Sequence, residues 1–169
     1  MTPVLRPAGP GDAATLSAIG AATFVETFGH LYAPADLDAF LRNHAVERWA
    51  DELADPRFAV LLAMAGDEAA GFAKLGPPSL PVTHGPRSIE LRQFYIRSPW
   101  HGTGLAVAMM AQVLATARAR GADELYLSVF VDNPRARRFY ERHGFERVGR
   151  YVFMVGDHED EDDIMRLAL

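Results

Sequence analysis

The pattern of apolar and polar residues changes its period several times along the chain, and each change marks a predicted element. Short apolar runs that end at turn residues are typical of strands, whereas apolar residues three and four positions apart are typical of helices. The predicted strands are residues 4–6, 58–64, 70–75, 90–97, 124–130, 146–155 and 163–169. The predicted helices are residues 12–27, a stretch that opens at Pro34, and residues 45–53, 104–120 and 134–143.

The helix that begins at Gly104 has the clearest pattern. Its apolar residues recur on one face, which therefore packs against a core, and Gly121 is placed to end the helix. These residues are Ala106, Met109, Met110, Val113, Leu114 and Ala117. Because this helix connects the strands at 90–97 and 124–130, we expect a right-handed crossover between parallel strands. The other strands are joined by short turns, so the sheet should be mixed.

The segment before the last strand is strongly acidic. Residues 157–163 carry six carboxylates in seven positions and are predicted to form the turn between the last two strands. Such a turn is either a solvated hairpin tip or a source of negative potential that attracts a polycation.

Composition narrows the class of protein. A length of 169 residues predicts a single domain, residues 1–169, with 49% apolar and 23% charged residues as in ordinary globular proteins. The absence of cysteine excludes disulfides, a thiolate nucleophile and cysteine-ligated zinc or iron–sulfur sites, and it fits a cytoplasmic protein. No metal site is predicted. A net charge of −5 disfavours nucleic acid as a partner. The apolar runs are too short to span a membrane, and we expect no signal peptide because the N-terminus has no apolar core. The sequence leaves the oligomeric state open, and a homodimer is one possibility.

A glycine-containing loop, Trp100-His-Gly-Thr-Gly104, lies between a predicted strand and the helix that follows. Such a turn presents unpaired amide groups and the positive end of the helix dipole, which together favour a phosphate group. A dinucleotide-binding fingerprint would need a third glycine where Val107 stands, and a P-loop would need a lysine that this loop lacks. The sequence therefore predicts a diphosphate site of another kind.

A second motif begins at Asn133, one crossover unit downstream. Asn133 is a good helix N-cap, Pro134 suits the first helical position, and Gly144 suits the left-handed stop. Ala136, Phe139, Tyr140 and His143 share one face of this helix. By these local rules alone, Asn133 caps and Tyr140 packs, with no further role.

The two motifs together resemble those of the GCN5-related N-acetyltransferase (GNAT) family. His101-Gly-Thr-Gly-Leu-Ala106 is similar to the family's acetyl-CoA loop, except that a glutamine or arginine usually stands at position 101. Asn133–Phe145 is similar to the second signature, Asn-x-x-Ala-x-x-Phe-Tyr-x-x-x-Gly-Phe. The resemblance implies an α/β fold with a mixed sheet of six to seven strands, about four helices, and parallel strands 4 and 5 that splay apart around the cofactor.

The resemblance also implies roles for particular residues toward acetyl-CoA. The backbone of Phe94, Tyr95 and Ile96 would pair with the pantetheine arm as an added strand does, and Asn133 would hydrogen-bond the same arm. Tyr140 would donate a proton to the thiolate that leaves when an amine attacks the thioester. The diphosphate would be held by His101, Gly102, Thr103, Gly104, Leu105, Ala106 and Val107.

The amine must lose a proton before it can attack, since its pKa is ordinarily about 10.4. A carboxylate at the start of strand 4 has this role in many relatives, and Glu90 occupies that position. The other interpretation of Glu90 is a solvated charge or an ion pair with Arg92. Glu26, which is otherwise an exposed helix residue, and Tyr32 are further candidates for binding the substrate.

Several segments beyond these motifs resemble the bacterial Pai-type spermidine/spermine N-acetyltransferases. They are Glu26-Thr27-Phe28, Asp36-Leu37, Phe40-Leu41, Glu90-Leu91 through Tyr95-Ile96, and the stretch from Phe153 to Met165. The resemblance implies a polyamine acceptor. The alternatives are a protein N-terminus or lysine, an aminoglycoside, and, from a different class, a sensor that binds acetyl-CoA without catalysis.

Overall fold

The computed structural model describes residues 1–169 and consists of a seven-stranded sheet with helices on both faces. The strands are β1 (Val4–Pro7), β2 (Ala59–Ala65), β3 (Glu68–Gly76), β4 (Ser88–Ile96), β5 (Glu124–Phe130), β6 (Glu146–Val155) and β7 (His158–Ala168). The helices are α1 (Ala13–Phe28), α2 (Pro34–Leu41), α3 (Val46–Ala54), α4 (Leu105–Ala119) and α5 (Pro134–Arg142). No helix has the length and apolar character needed to cross a bilayer.

The sheet is mixed, as predicted, with the strand order β1-β2-β3-β4-β5-β7-β6. β4 and β5 form its parallel pair, joined by the α4 crossover, and the neighbours on either side are antiparallel. Both ends of the chain therefore contribute strands to one sheet, and the parallel pair lies at its centre.

β4 and β5 separate after only three paired positions. The parallel register runs from Ser88 opposite Glu124 to Glu90 opposite Tyr126 and then stops. On its other side, β4 contains a bulge, because Leu91 pairs with Leu75 whereas Gln93 pairs with the next residue, Lys74. A bulge bends its strand and increases its twist, which directs the second half of β4 away from β5. The predicted splay follows from this bulge.

The helices cover the sheet in two layers with separate cores. α4 and α5 pack on one face, where Met109, Met110, Val113 and Tyr140 belong to the larger core. α1 and α3 pack on the opposite face against a smaller core around Trp49 and Phe72. The gap between β4 and β5 is open to both layers.

The predicted acidic turn between the last strands is wrong. The turn consists of Gly156 and Asp157. β7 begins at His158, so the acidic residues from Glu159 onward belong to this strand. Asp163 is fully buried and lies close to Arg137, Arg147 and Arg150, which neutralise it. The error arose because acidic residues are rare in strands, and the arginines that make this strand stable are distant in sequence or on the neighbouring strand.

Candidate active site

A cleft of about 670 Å³ occupies the gap between β4 and β5. One end is formed by the loop before α4 and the start of α5, and the other end by α1, α2 and the β6–β7 hairpin. Tyr95 and Tyr140 line the stretch between the two ends. A single cleft thus joins the predicted cofactor loop to a second pocket on the far side of the sheet.

The loop before α4 is open toward this cleft. Gly102 and Gly104 have φ angles of 76° and 89°, and a Cβ atom at either position would meet no protein atom within 4 Å. Left-handed backbone at both positions turns the amides of the loop outward, as only glycine allows without strain. Five amides at this end have no hydrogen-bond partner in the protein, namely those of Gly102, Gly104, Leu105, Ala106 and Val107.

Thr103 has a different environment from its neighbours. Its amide and its hydroxyl both donate to the carbonyl oxygen of Trp100, at 3.4 and 2.7 Å. Thr103 therefore holds the turn in shape, while the amides on either side of it stay free. A group with two linked phosphates fits such a set of donors, so the loop is suited to the diphosphate of coenzyme A.

His101 is bonded to protein groups on both of its ring nitrogens. Nε2 lies 2.8 Å from the carbonyl oxygen of Ile96, and Nδ1 lies 3.0 Å from Nη1 of Arg135. A carbonyl can only accept and a guanidinium can only donate, so Nε2 carries the proton and Nδ1 accepts. His101 thus connects the end of β4 to the start of α5 and places Arg135 beside the loop, a residue that our sequence reasoning did not identify.

The second motif also serves the cleft. Oδ1 of Asn133 accepts a hydrogen bond of 3.2 Å from the amide of Ala136, which confirms the N-cap, and the residue lines the cleft as well. Tyr140 is 8% exposed, and its ring packs against Phe94, Phe139 and Phe145. Burial, with a contribution from Tyr95, raises the pKa of Tyr140, so its phenol keeps its proton well into the alkaline range.

Glu90 lies in the cleft but already has several partners. Its carboxylate accepts hydrogen bonds from the amides of Ser79 and Leu80, at 2.7 and 3.1 Å, and from the Ser79 hydroxyl at 3.1 Å. The alternative ion pair with Arg92 is long, at 3.9 Å, because that guanidinium donates to the carbonyl oxygen of Pro77. Glu90 therefore anchors the loop that follows β3.

The two predicted substrate residues of the α1 region differ in location. Glu26 does not line the cleft, since its carboxylate pairs with Arg97 at 2.9 Å and accepts from Ser98. Tyr32 lines the cleft and donates its hydroxyl proton to Asp160. Burial and this hydrogen bond raise the pKa of Tyr32.

The structure adds one carboxylate to this pocket that the sequence did not reveal. Asp162 lies in β7, is 6% exposed and lines the cleft, and its Oδ1 has no hydrogen-bond partner. Burial raises the pKa of Asp162 to about 6. The available signal was the alternation along residues 158–164, which puts Asp160 and Asp162 on the same strand face as Ile164.

Comparisons with known proteins identify the family of the chain. The sequence profile of the acetyltransferase (GNAT) family matches residues 23–145. An uncharacterized N-acetyltransferase of Mycobacterium tuberculosis strain H37Rv is 37% identical over 155 residues, which cover 91% of this chain and 96% of the relative. An aminoglycoside N(6′)-acetyltransferase type 1 of Stenotrophomonas maltophilia is 32% identical over 117 residues, 64% of this chain and 72% of the relative.

Solved structures show the same fold. The PaiA N-acetyltransferase from Thermoplasma acidophilum, crystallised in complex with coenzyme A, has a TM-score of 0.81 at 18% identity, and each chain covers 100% of the other. The family match, the free amides of the loop and the cleft between β4 and β5 favour an enzyme over a sensor that binds acetyl-CoA without catalysis. The chain belongs to the acetyltransferase (GNAT) family and is an N-acetyltransferase that uses acetyl-CoA.

Proposed function

We propose that this enzyme acetylates a primary amine of a polyamine such as spermidine or spermine, by direct attack in a ternary complex. The observation that carries the proposal is the single cleft that leads from the open amide loop, past Tyr140, to an aromatic pocket with the buried carboxylates Glu90 and Asp162. An alkyl chain with ammonium groups matches such a pocket, because its methylenes contact rings and its charges meet carboxylates.

At the cofactor end, the main chain would do most of the binding. The free amides at the start of α4 would hold the diphosphate, with Arg135 adding a charged donor beside them. The unpaired edge of β4 at Phe94, Tyr95 and Ile96 would receive the pantetheine arm, and Asn133 would contact that arm from α5. When bound, acetyl-CoA supplies an acetyl thioester as the acyl donor.

Tyr140 would act as the acid. The amine nitrogen forms a bond to the acyl carbon, the carbon–sulfur bond breaks, and sulfur leaves with the electron pair of that bond. The Tyr140 phenol would donate its proton to this sulfur, and its raised pKa keeps the proton available at neutral pH. Its ring is fixed by three aromatic neighbours, so the hydroxyl keeps one position.

The acceptor end has aromatic walls and two kinds of charge. Phe40 stacks on Phe24 at a centroid distance of 4.1 Å and meets Phe153 edge-on at 5.6 Å. Arg48 and Lys74 there both reach one carboxylate, that of Glu52, and the Arg92 guanidinium donates to the carbonyl oxygen of Pro77. Among the acids of this pocket, Asp162 has an oxygen without a partner, and this free carboxylate supports a cationic substrate.

An aminoglycoside is the second candidate acceptor. It is favoured by the 32% identity with the aminoglycoside N(6′)-acetyltransferase of Stenotrophomonas maltophilia. An aminoglycoside also carries several ammonium groups. Its sugar rings, however, carry many hydroxyl groups that need hydrogen-bond partners, and the aromatic walls of the pocket supply few of these.

Release of free CoA thiol distinguishes these acceptors. The purified enzyme is assayed with acetyl-CoA and, in parallel, spermidine, a lysine peptide or an aminoglycoside. We expect kcat/KM to be at least tenfold higher for spermidine than for the others. A higher value for the peptide or the aminoglycoside would refute the polyamine acceptor and leave the acetyltransferase assignment intact.

A further inference from the structure

The acidic run of β7 contains one residue whose environment differs from that of its neighbours. Asp160 bonds to Tyr32 and lies 3.3 Å from His158, Glu161 pairs with Arg150, and Asp163 is neutralised by arginines. Asp162 has no such cation, although it is 94% buried, and its Oδ1 has no partner. A buried carboxylate oxygen without a donor is costly, so it is expected where a ligand supplies the donor.

The groups around Asp162 come from every neighbouring strand. The Ser128 hydroxyl of β5 stabilises the ionised carboxylate, whereas the charges of Asp160 and Asp163 on β7 oppose ionisation. Tyr151 of β6 is the strand partner of Asp162, and Tyr95 of β4 and Tyr32 from the α1–α2 connection line the same cleft. Burial raises the pKa of all three phenols, and the negative charge of Asp162 adds to the shift. The arginines of α5 and β6 pair with Asp163 and Glu161 instead.

We propose that Asp162 is the catalytic carboxylate that binds the ammonium group of the acceptor and takes one proton from it. The proposal rests on the proposed amine acetylation and identifies the base of that reaction. One N–H bond of the ammonium breaks, its proton bonds to Oδ1 of Asp162, and the electron pair remains on nitrogen for attack on the acyl carbon.

The remaining protons balance. The nitrogen loses a second proton once the amide forms, and this proton restores the phenol of Tyr140 after that phenol has protonated the sulfur. Asp162 then releases its own proton to solvent, so each turnover yields one amide, one thiol and one free proton. Tyr95 lines the same cleft as Asp162 and Tyr140.

Asp162 suits this role better than Glu90. Three hydrogen-bond donors already occupy the Glu90 carboxylate, and two of them are main-chain amides. Asp162 has a free oxygen, and its pKa of about 6 is close enough to neutrality for proton uptake and release in each cycle. In this arrangement Glu90 positions the Ser79–Leu80 segment of the cleft wall.

The experiment compares Asp162→Asn with Glu90→Gln and with Glu161→Gln. Glu161 is the matched control, because it is the adjacent acid in β7 and its side chain is 61% exposed. The acceptor is whichever amine gives the fastest thiol release with the unmodified enzyme, so an error about the polyamine does not affect this test. The kcat/KM value is measured from pH 5 to pH 10, and acetyl-CoA affinity is measured by calorimetry.

We expect the unmodified enzyme to gain activity as the pH rises through about 6, the pKa of Asp162. Asp162→Asn should lower kcat/KM at pH 7 by about 10²–10⁴-fold. Its remaining activity should rise about tenfold per pH unit toward the pKa of the free amine, near 10.4. Glu161→Gln should stay within twofold, and acetyl-CoA affinity should be unchanged in both variants.

Two outcomes would overturn the proposal. One is an Asp162→Asn enzyme with kcat/KM within threefold of the unmodified value and the same pH profile. The other is loss of the rise near pH 6 in Glu90→Gln together with its retention in Asp162→Asn, which would make Glu90 the base. Thermal unfolding of each variant separates a folding defect from a catalytic one.

Discussion

The two ends of the cleft are built in different ways. The proposed cofactor end consists of main-chain amides and the first turns of two helices, all within residues 94–140. The proposed acceptor end consists of side chains from α1, α2, α3, β3, β4, β6 and β7, which are far apart in sequence. A ligand that is the same in every reaction can be bound by backbone, whereas a variable ligand needs side chains that can be exchanged without altering the fold.

The largest effect is expected where this comparison is sharpest, at Gly104. Gly104→Val forces a β-branched residue into a conformation with φ of 89° and fills the space in front of the free amides. We expect at least 100-fold weaker binding of acetyl-CoA by calorimetry. Gly121→Val is the matched control, because Gly121 has φ of 78° and equally open surroundings but lies at the far end of α4. If both variants bind acetyl-CoA equally well, the loop is not the diphosphate site.

A substitution of Tyr140 tests the proposed proton donation to the leaving sulfur. Tyr140→Phe keeps the packed ring and removes the proton donor, so we expect turnover to fall by one to three orders of magnitude with acetyl-CoA affinity within twofold. Tyr126→Phe is the control, since Tyr126 is also buried but bonds to Glu124 outside the cleft. Unchanged turnover in Tyr140→Phe would reduce its role to packing.

Arg135 tests whether side chains matter at the cofactor end. Because the amide loop supplies most of the donors, Arg135→Ala should weaken acetyl-CoA binding only about five- to tenfold, and the loss should shrink at high salt. Arg138→Ala, one turn along the same helix and outside the cleft, should have no measurable effect. A loss as large as that of Gly104→Val would contradict the dominance of the backbone.

The smallest effect concerns the stability of the acceptor end. The pKa of Asp162 is raised from 3.8 to about 6, so the folded state binds more protons than the unfolded state between these values, and stability falls as the pH rises through that window. Asp162→Asn removes this loss. The variant should be more stable than the unmodified protein at pH 8 by about 1–3 kcal/mol and equally stable near pH 3, as measured by urea unfolding. A difference that does not change with pH would contradict burial of an unpaired carboxylate.

Most of the fold could be predicted from the sequence because its signals are local. The strand at 124–130, the N-cap at Asn133 and the helix stop at Gly121 each depend on neighbouring residues, and the structure has all three. The sequence could not show that the predicted acidic turn is part of a strand. β7 is stabilised by arginines of α5 and β6 that approach it only in the folded protein.

The same difference between local signals and long-range contacts applies to the candidate site. A glycine pair before an apolar helix is enough to predict free amides, because main-chain geometry depends mainly on the residues of that turn. The hydrogen-bond and ion-pair partners of a side chain, in contrast, can be distant in sequence. No sequence pattern predicts the hydrogen bonds from Ser79 and Leu80 to Glu90, or the ion pair of Glu26 with Arg97. The sequence alone therefore determined the family, the open glycine loop before α4 and the place of Tyr140 on α5. Only the tertiary structure decided which carboxylates have partners and which one, Asp162, is left free, because burial and pairing depend on side chains that folding brings together.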